Sequence, residues 1–242
     1  MRRSLYQKWL ANRFDDFILY GTDGSHWDLY EKISEKTLQV PAVDSHIGKA
    51  YAEAQAVYYC RQVHGNEIGV VKIRMQVGLE YPPSEHSSVR ADLASEVPSI
   101  PTRQELYTLK HLGENGCSVT PKLLDNLLAF QTESMPVPGG YLVFHIMERV
   151  PGVSLENFWQ CSFEKREKIR GAFATSLAEF LKHRAYAHDS RLANIMYDEE
   201  NNKCYFVDHE ATEIRKDKAV KFSRGQYFIW GLAYRDGDTE IF

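Results

Sequence analysis

The 242-residue sequence predicts an α+β protein of two lobes, the first rich in strands and the second mainly helical. Three observations carry that expectation. Residues 54–61 and 68–77 are dense in Val, Tyr and Ile and flank His64-Gly65-Asn66-Glu67, the pattern of a β-hairpin. Residues 164–184 repeat Ile169, Phe173, Leu177, Phe180 and Leu181 at mostly three- and four-residue spacing, the stripe of a helix with one face in a core. A late strand-turn-strand pattern follows at residues 195–207. The boundary is expected at 147/148, with residues 1–147 forming the strand-rich lobe and 148–242 the second, abbreviated lobe.

Between the early hairpin and the first helix, residues 78–101 carry Pro82, Pro83, Pro98 and Pro101 among five serines, which reads as a long loop. Residues 102–112 then read as a helix. Thr102 and Glu105 have capping-box spacing, Leu106, Leu109 and Leu112 share a stripe, and Gly113 ends the segment. Residues 141–147 form a short apolar burst expected to be a buried strand, and Pro151-Gly152 breaks the chain before a short helix near Ser154. Residues 222–234, with Tyr227, Phe228, Ile229, Trp230 and Leu232, are expected to supply one closing helix or else an exposed aromatic surface that recruits a partner.

Composition narrows the function classes. Hydrophobic residues make up 43% and aromatics 12%, enough for a substantial core and against wholesale disorder. The balance of 29 basic and 33 acidic residues, net −4, argues against nucleic acid or an anionic membrane as partner. Cys60, Cys117, Cys161 and Cys204 are scattered, with no Cys-x-x-Cys pair and no close histidine spacing, so they read as reduced, mostly buried thiols. Residues 1–19 are interrupted by Arg2, Arg3, Lys8, Arg13, Asp15 and Asp16 and lack the apolar stretch of a secretory signal. No apolar run approaches the ~20 residues of a membrane span. A cytoplasmic protein is expected.

The residues that carry chemistry lie around the late hairpin. If residues 195–197 run outward and 204–207 return beside them, Asn194 and Asp208 meet at the open end, with Asp189 just upstream. Two carboxylates and an amide oxygen converging there would need a cation or donors to neutralise them. Hard oxygen donors of this kind suit Mg²⁺, especially when phosphates complete its shell. Taken singly, Asn194 starts a strand, Asp208 ends one and Asp189 caps a turn.

These residues resemble the protein-kinase superfamily. Asp189 and Asn194, separated by four residues, match the Asp-x-x-x-x-Asn of the kinase catalytic loop, and Asp208-His209-Glu210 sits where those enzymes carry Asp-Phe-Gly. Lys72 in Val70-Val71-Lys72-Ile73 is similar to the Val-Ala-Ile-Lys strand, and Glu105 opens the next helix, where that lysine's partner is expected. Residues 141–155 look like the strand and hinge of the aminoglycoside- and choline-kinase-like branch. The resemblance covers about residues 48–210.

What the resemblance implies is a two-lobed kinase-like fold and an ATP-dependent phosphotransferase acting on a hydroxyl acceptor. Asp189 would orient the acceptor hydroxyl or take its proton, Asn194 and Asp208 would hold Mg²⁺, and Arg191 would meet the transferred phosphate. Lys72, fixed by Glu105, would contact the α- and β-phosphates. Gly48 would lie in the phosphate-covering loop, and Met147 and Glu148 at the adenine edge.

The sequence also departs from that pattern. Residues 46–52 offer one glycine, Gly48, where such loops usually have several. His188 directly precedes Asp189, Glu210 replaces a glycine, and no Ala-Pro-Glu segment follows Asp208. These departures favour an alternative, a pseudokinase that holds a nucleotide or a protein partner, in a truncated copy of the fold. A third reading takes His188-Asp189 with His183 or His209 as a His-Asp metal phosphohydrolase. It is disfavoured because such sites are built on helices and the residues after Asp189 have the pattern of strands.

Overall fold

The computed structural model describes residues 9–216, 220–237 and 239–242; of the N-terminal charges noted above, Arg2, Arg3 and Lys8 lie outside the described residues. The protein mixes helix and strand, as expected, and divides into two compact units. The first comprises residues 1–103 and 123–149, the second 104–122 and 150–242. Residues 104–122 thus group with the second unit, whereas a single boundary at 147/148 puts them in the first. The reason is local packing: Leu112, Cys117 and Val119 belong to the apolar cluster built around Phe173, Leu177 and Phe180.

The first unit is built on a six-stranded antiparallel sheet. Its strands are β1 (Ile18–Tyr20), β2 (His26–Val40), β3 (Tyr51–Gln62), β4 (Ile68–Val77), β5 (Leu123–Phe130) and β6 (Tyr141–Glu148), in the order β1-β2-β3-β4-β6-β5. The β3–β4 hairpin pairs as the sequence pattern indicates, through a turn in which His64 takes a left-handed φ of 64°. The long β2 was not legible as a strand. Register shifts between Leu29 and Glu31 and between Lys32 and Ser34 interrupt its alternation, so no continuous period of two marks it.

The two faces of this sheet differ in chemistry. Val71, Ile73 and Met75 of β4 join Ala54, Ala56 and Tyr58 of β3 and Leu142, Phe144 and Ile146 of β6 in an apolar cluster that Trp9, Leu10 and Phe14 also enter. The alternate positions, Lys72, Arg74 and Gln76 of β4 with Glu53 and Gln55 of β3 and His145 of β6, are polar and buried. Period-two alternation therefore separates an apolar face from a polar one, both withdrawn from solvent.

Residues 78–101 are not wholly irregular: α1 (Ser87–Ala91) interrupts them, and α2 (Ile100–Glu114) begins before Pro101. The cap also differs from expectation. The Ser99 hydroxyl accepts from the Thr102 N–H at 3.3 Å, so Ser99 caps the helix and Thr102 lies in its first turn. Gly113 does not end α2, which runs to Glu114 and closes at Gly116, where φ is 74°.

In the second unit, α3 (Phe163–Lys182) is the helix marked by the apolar stripe, with the Ser162 hydroxyl accepting from the Lys165 N–H at 3.3 Å. The segment before it starts with β7 (Val153–Ser154) and a 3₁₀ segment, Leu155–Gln160, that is capped by Ser154 and kinked at Asn157. Gly152 is required there. Its φ is 100°, and a Cβ would collide with the Tyr197 carbonyl. Then come β8 (Ala185–Ala187), β9 (Ile195–Asp198), β10 (Lys203–Phe206) and β11 (Thr212–Ile214), with β7, β9 and β10 in one small sheet and β8 pairing β11.

Residues 222–234 supply only one turn of helix, α4 (Gln226–Ile229), before the β12 (Tyr234–Asp236) and β13 (Thr239–Ile241) ribbon. Trp230 and Leu232 are buried in the cluster with Phe173 and Phe206, so the alternative of a wholly exposed aromatic surface does not hold, although Ile229 and Tyr234 of this segment are half exposed. No described helix is long and apolar enough to cross a membrane.

Candidate functional site

Four residues of the second unit meet at the open end of the β9–β10 hairpin. The ladder pairs Ile195 with Phe206, and the Val207 N–H donates to the Asn194 carbonyl at 3.0 Å, extending the pairing one step. Asn194 therefore stands just before one strand and Asp208 just after the other, as the sequence indicated. Asp208 adopts a left-handed φ of 64°, which turns the chain away from the ribbon.

Asp189 reaches the same point. The Asn194 Nδ2 donates to the Asp189 carbonyl at 3.0 Å and to its Oδ2 at 3.2 Å, closing the loop between them. Asn194 is 5% exposed, so its amide is locked by these contacts, whereas Asp189 keeps a partly open carboxylate. The Arg191 guanidinium sits among them, 3.0 Å from Asp189 Oδ2 and 3.8 Å from Asp208 Oδ2, with its Nε 3.4 Å from Asn194 Oδ1. A positive group already faces both carboxylates and the amide oxygen, which marks where their combined field attracts a cation.

This donor set fits a hard divalent ion. Asn194 uses its nitrogen toward Asp189, and its oxygen accepts from the Arg191 Nε, the same guanidinium that faces Asp208. One amide oxygen and one carboxylate, with phosphate and water to complete the shell, is a composition that suits Mg²⁺.

The remaining sequence-predicted residues fall as follows. Lys72 is buried on the polar face of the first unit's sheet, opposite Val57 and His145. Met147 and Glu148 end β6, where Met147 pairs with Val70. The Gly69 backbone is packed so tightly that a Cβ would lie 2.9 Å from the Met147 carbonyl, which fixes that strand end. Gly48 is exposed in a series of turns after a 3₁₀ turn at Ala42–Asp44, with its N–H bonded to the Ser45 carbonyl at 3.2 Å. Glu105 is buried on α2, in the second unit.

Sequence reasoning missed one prominent group. Glu53 on β3 is paired with Arg74 on β4 at 2.9 Å and also accepts from Ser99 (2.8 Å), Thr102 (2.6 Å) and Tyr141 (2.8 Å). The signal available was a glutamate and an arginine in strands otherwise apolar at alternate positions, where a buried charge requires a partner.

No family model and no curated protein matches the chain. Among solved structures, it is similar to the kinase PK-1 of the Cydia pomonella granulovirus, at 16% identity and a TM-score of 0.44, over 85% of this chain and 65% of that one. The chain spans slightly less than two thirds of that protein's length.

Proposed function

We propose that the chain is a kinase-like phosphotransferase that moves the γ-phosphoryl group of ATP to a hydroxyl acceptor. The observation that carries this reading is the convergence of Asp189, Asn194 and Asp208 around one cationic position at the end of the β9–β10 hairpin. Phosphoryl transfer asks mainly for positioning and charge neutralisation, and this arrangement supplies both.

In this reading Asp189 orients the acceptor hydroxyl and receives its proton as the oxygen bonds to phosphorus and the bond to the ADP oxygen breaks. Asn194 holds Asp189 in place through its amide nitrogen and turns its oxygen toward the metal position, which Asp208 completes. Mg²⁺, when bound there, would neutralise phosphate charge. Arg191 would swing from the carboxylates to the transferred phosphate, exchanging one anionic partner for another. Lys72, Gly48 and the backbone at Met147 and Glu148, all of the first unit, would serve the nucleotide.

A second reading, a pseudokinase that binds nucleotide or a protein partner without turnover, is favoured by the single glycine at Gly48 and by the pairing of Arg191 with Asp189. Calorimetric titration with ATP, with and without Mg²⁺, on wild type and Asp208→Ala tests both. A magnesium-dependent signal lost in the variant, with phosphate transfer or ATP hydrolysis in the wild type, supports the enzyme. Binding without turnover supports the second reading, and no nucleotide signal in either protein rejects the enzyme and favours a nucleotide-free scaffold.

A further inference from the structure

Cys117, Glu179 and His183 form a cluster in the second unit that shares no residue with the Asp189, Asn194 and Asp208 group. Glu179 lies in the last turn of α3, and His183 is that helix's C-terminal cap, four residues on and so on the same face. Cys117 arrives from far upstream. It follows Gly116 just beyond α2, and its N–H donates to the Leu112 carbonyl at 2.9 Å while the Gly116 N–H donates to Gly113 at 3.1 Å. Those two bonds close α2 and fix where the thiol projects. The sulfur, a carboxylate oxygen and an imidazole nitrogen all lie within 4.8 Å of one another.

The groups are already held from behind. Glu179 accepts from the Ser118 N–H at 2.7 Å and from the Ser118 hydroxyl at 3.1 Å. Cys117 is buried, and burial pushes its thiol up, opposed in part by the Val119 N–H and the Thr120 hydroxyl beside the sulfur. Lys203 is the neighbouring cation, donating to the Ser118 hydroxyl at 3.0 Å. It places one positive charge beside the two negative charges that a thiolate and Glu179 would bring together.

We propose that Cys117, Glu179 and His183 bind a borderline divalent transition metal of the Zn²⁺ class, with water as the fourth ligand. Sulfur, imidazole nitrogen and carboxylate oxygen are all zinc ligands, and a thiolate disfavours Mg²⁺ and Ca²⁺. A tetrahedral zinc holds such atoms roughly 3.5 Å apart, so the side chains draw in by about 1 Å on binding. The Cys117 thiol gives its proton to solvent as the metal–sulfur bond forms, with no change of oxidation state.

The test uses the full chain, treated with chelator and titrated anaerobically with Co²⁺. One equivalent should produce a thiolate-to-cobalt charge-transfer band in the near ultraviolet and visible bands of tetrahedral intensity, both removed by added Zn²⁺. Cys117→Ser should abolish the charge-transfer band, His183→Ala should weaken binding at least ~10-fold, and Cys161→Ser should change neither. Absence of the band in wild type, or its survival in Cys117→Ser, overturns the proposal. Should circular dichroism show Cys117→Ser unfolded, the half-buried Glu179→Gln and His183→Ala decide, and unchanged cobalt spectra in both overturn it. Asp208→Ala should keep the cobalt signal, which separates this site from the phosphotransfer reading.

Discussion

Glu53 and Arg74 form an ion pair at 2.9 Å with both side chains out of solvent, and three hydroxyls and the Gln55 amide also donate to the carboxylate. Two of those hydroxyls, from Ser99 and Thr102, belong to the start of α2. The pair therefore holds a helix terminus as well as two strands.

The same pair makes stability pH-dependent. Burial alone would push Glu53 up, but the Arg74 charge and the hydroxyl donors outweigh it and hold the carboxyl below its ordinary value of 4.5. A depressed folded-state value means the unfolded chain binds the proton more readily. Its contribution is thus complete above the ordinary value and lost as pH falls through the lowered one. Glu53→Gln should cost about 3–5 kcal/mol at pH 7 by removing the carboxylate paired with buried Arg74, and should flatten the acid limb of urea midpoints against pH. An unchanged acid limb would contradict this.

Ser99, rather than Thr102, caps α2. Ser99→Ala removes both the cap to the Thr102 N–H and a donor to Glu53, so it should lower stability by about 1–2 kcal/mol in denaturant titration. Ser99→Asp should not rescue it, because a second carboxylate would face Glu53.

Gly152 tolerates no side chain. Gly152→Ala meets both the positive φ and the Tyr197 carbonyl, and should cost about 2–3 kcal/mol, read as a lower melting temperature. Gly113, with open space at its Cβ position inside α2, should gain up to ~1 kcal/mol on substitution by alanine.

In the proposed function, Arg191 would compete with a divalent ion for Asn194 and Asp208. On the proposed function, Arg191→Ala should lower the Mg²⁺ concentration needed for half-maximal ATP binding by ~5-fold, the equivalent of about 1 kcal/mol for a partly exposed pair, while reducing turnover. A rise in that Mg²⁺ requirement would show that the guanidinium does not compete for the site.

Thiol labelling should order the cysteines. Burial raises Cys60 and Cys204 to about 12, and Cys117 is also raised by burial, so in the native state at pH 8 a maleimide should modify the half-exposed Cys161 alone. The other three should react only after unfolding, detected by intact-mass analysis.

Local pattern determined the β3–β4 hairpin, α3 and the late hairpin that brings Asn194 beside Asp208, because each is set by residue alternation, helical spacing or a short turn within a few tens of residues. It did not mark β2, whose bulges break alternation, nor the true cap of α2, since Thr102 has the right spacing but spends its hydroxyl on Glu53, a strand residue distant in sequence. Tertiary structure alone decided that Arg191 stands among Asp189, Asn194 and Asp208, that Glu53 finds Arg74, and that Cys117 joins Glu179 and His183. Such contacts depend on where backbone hydrogen bonding and core packing carry separate segments, and no periodicity within a single segment encodes that meeting.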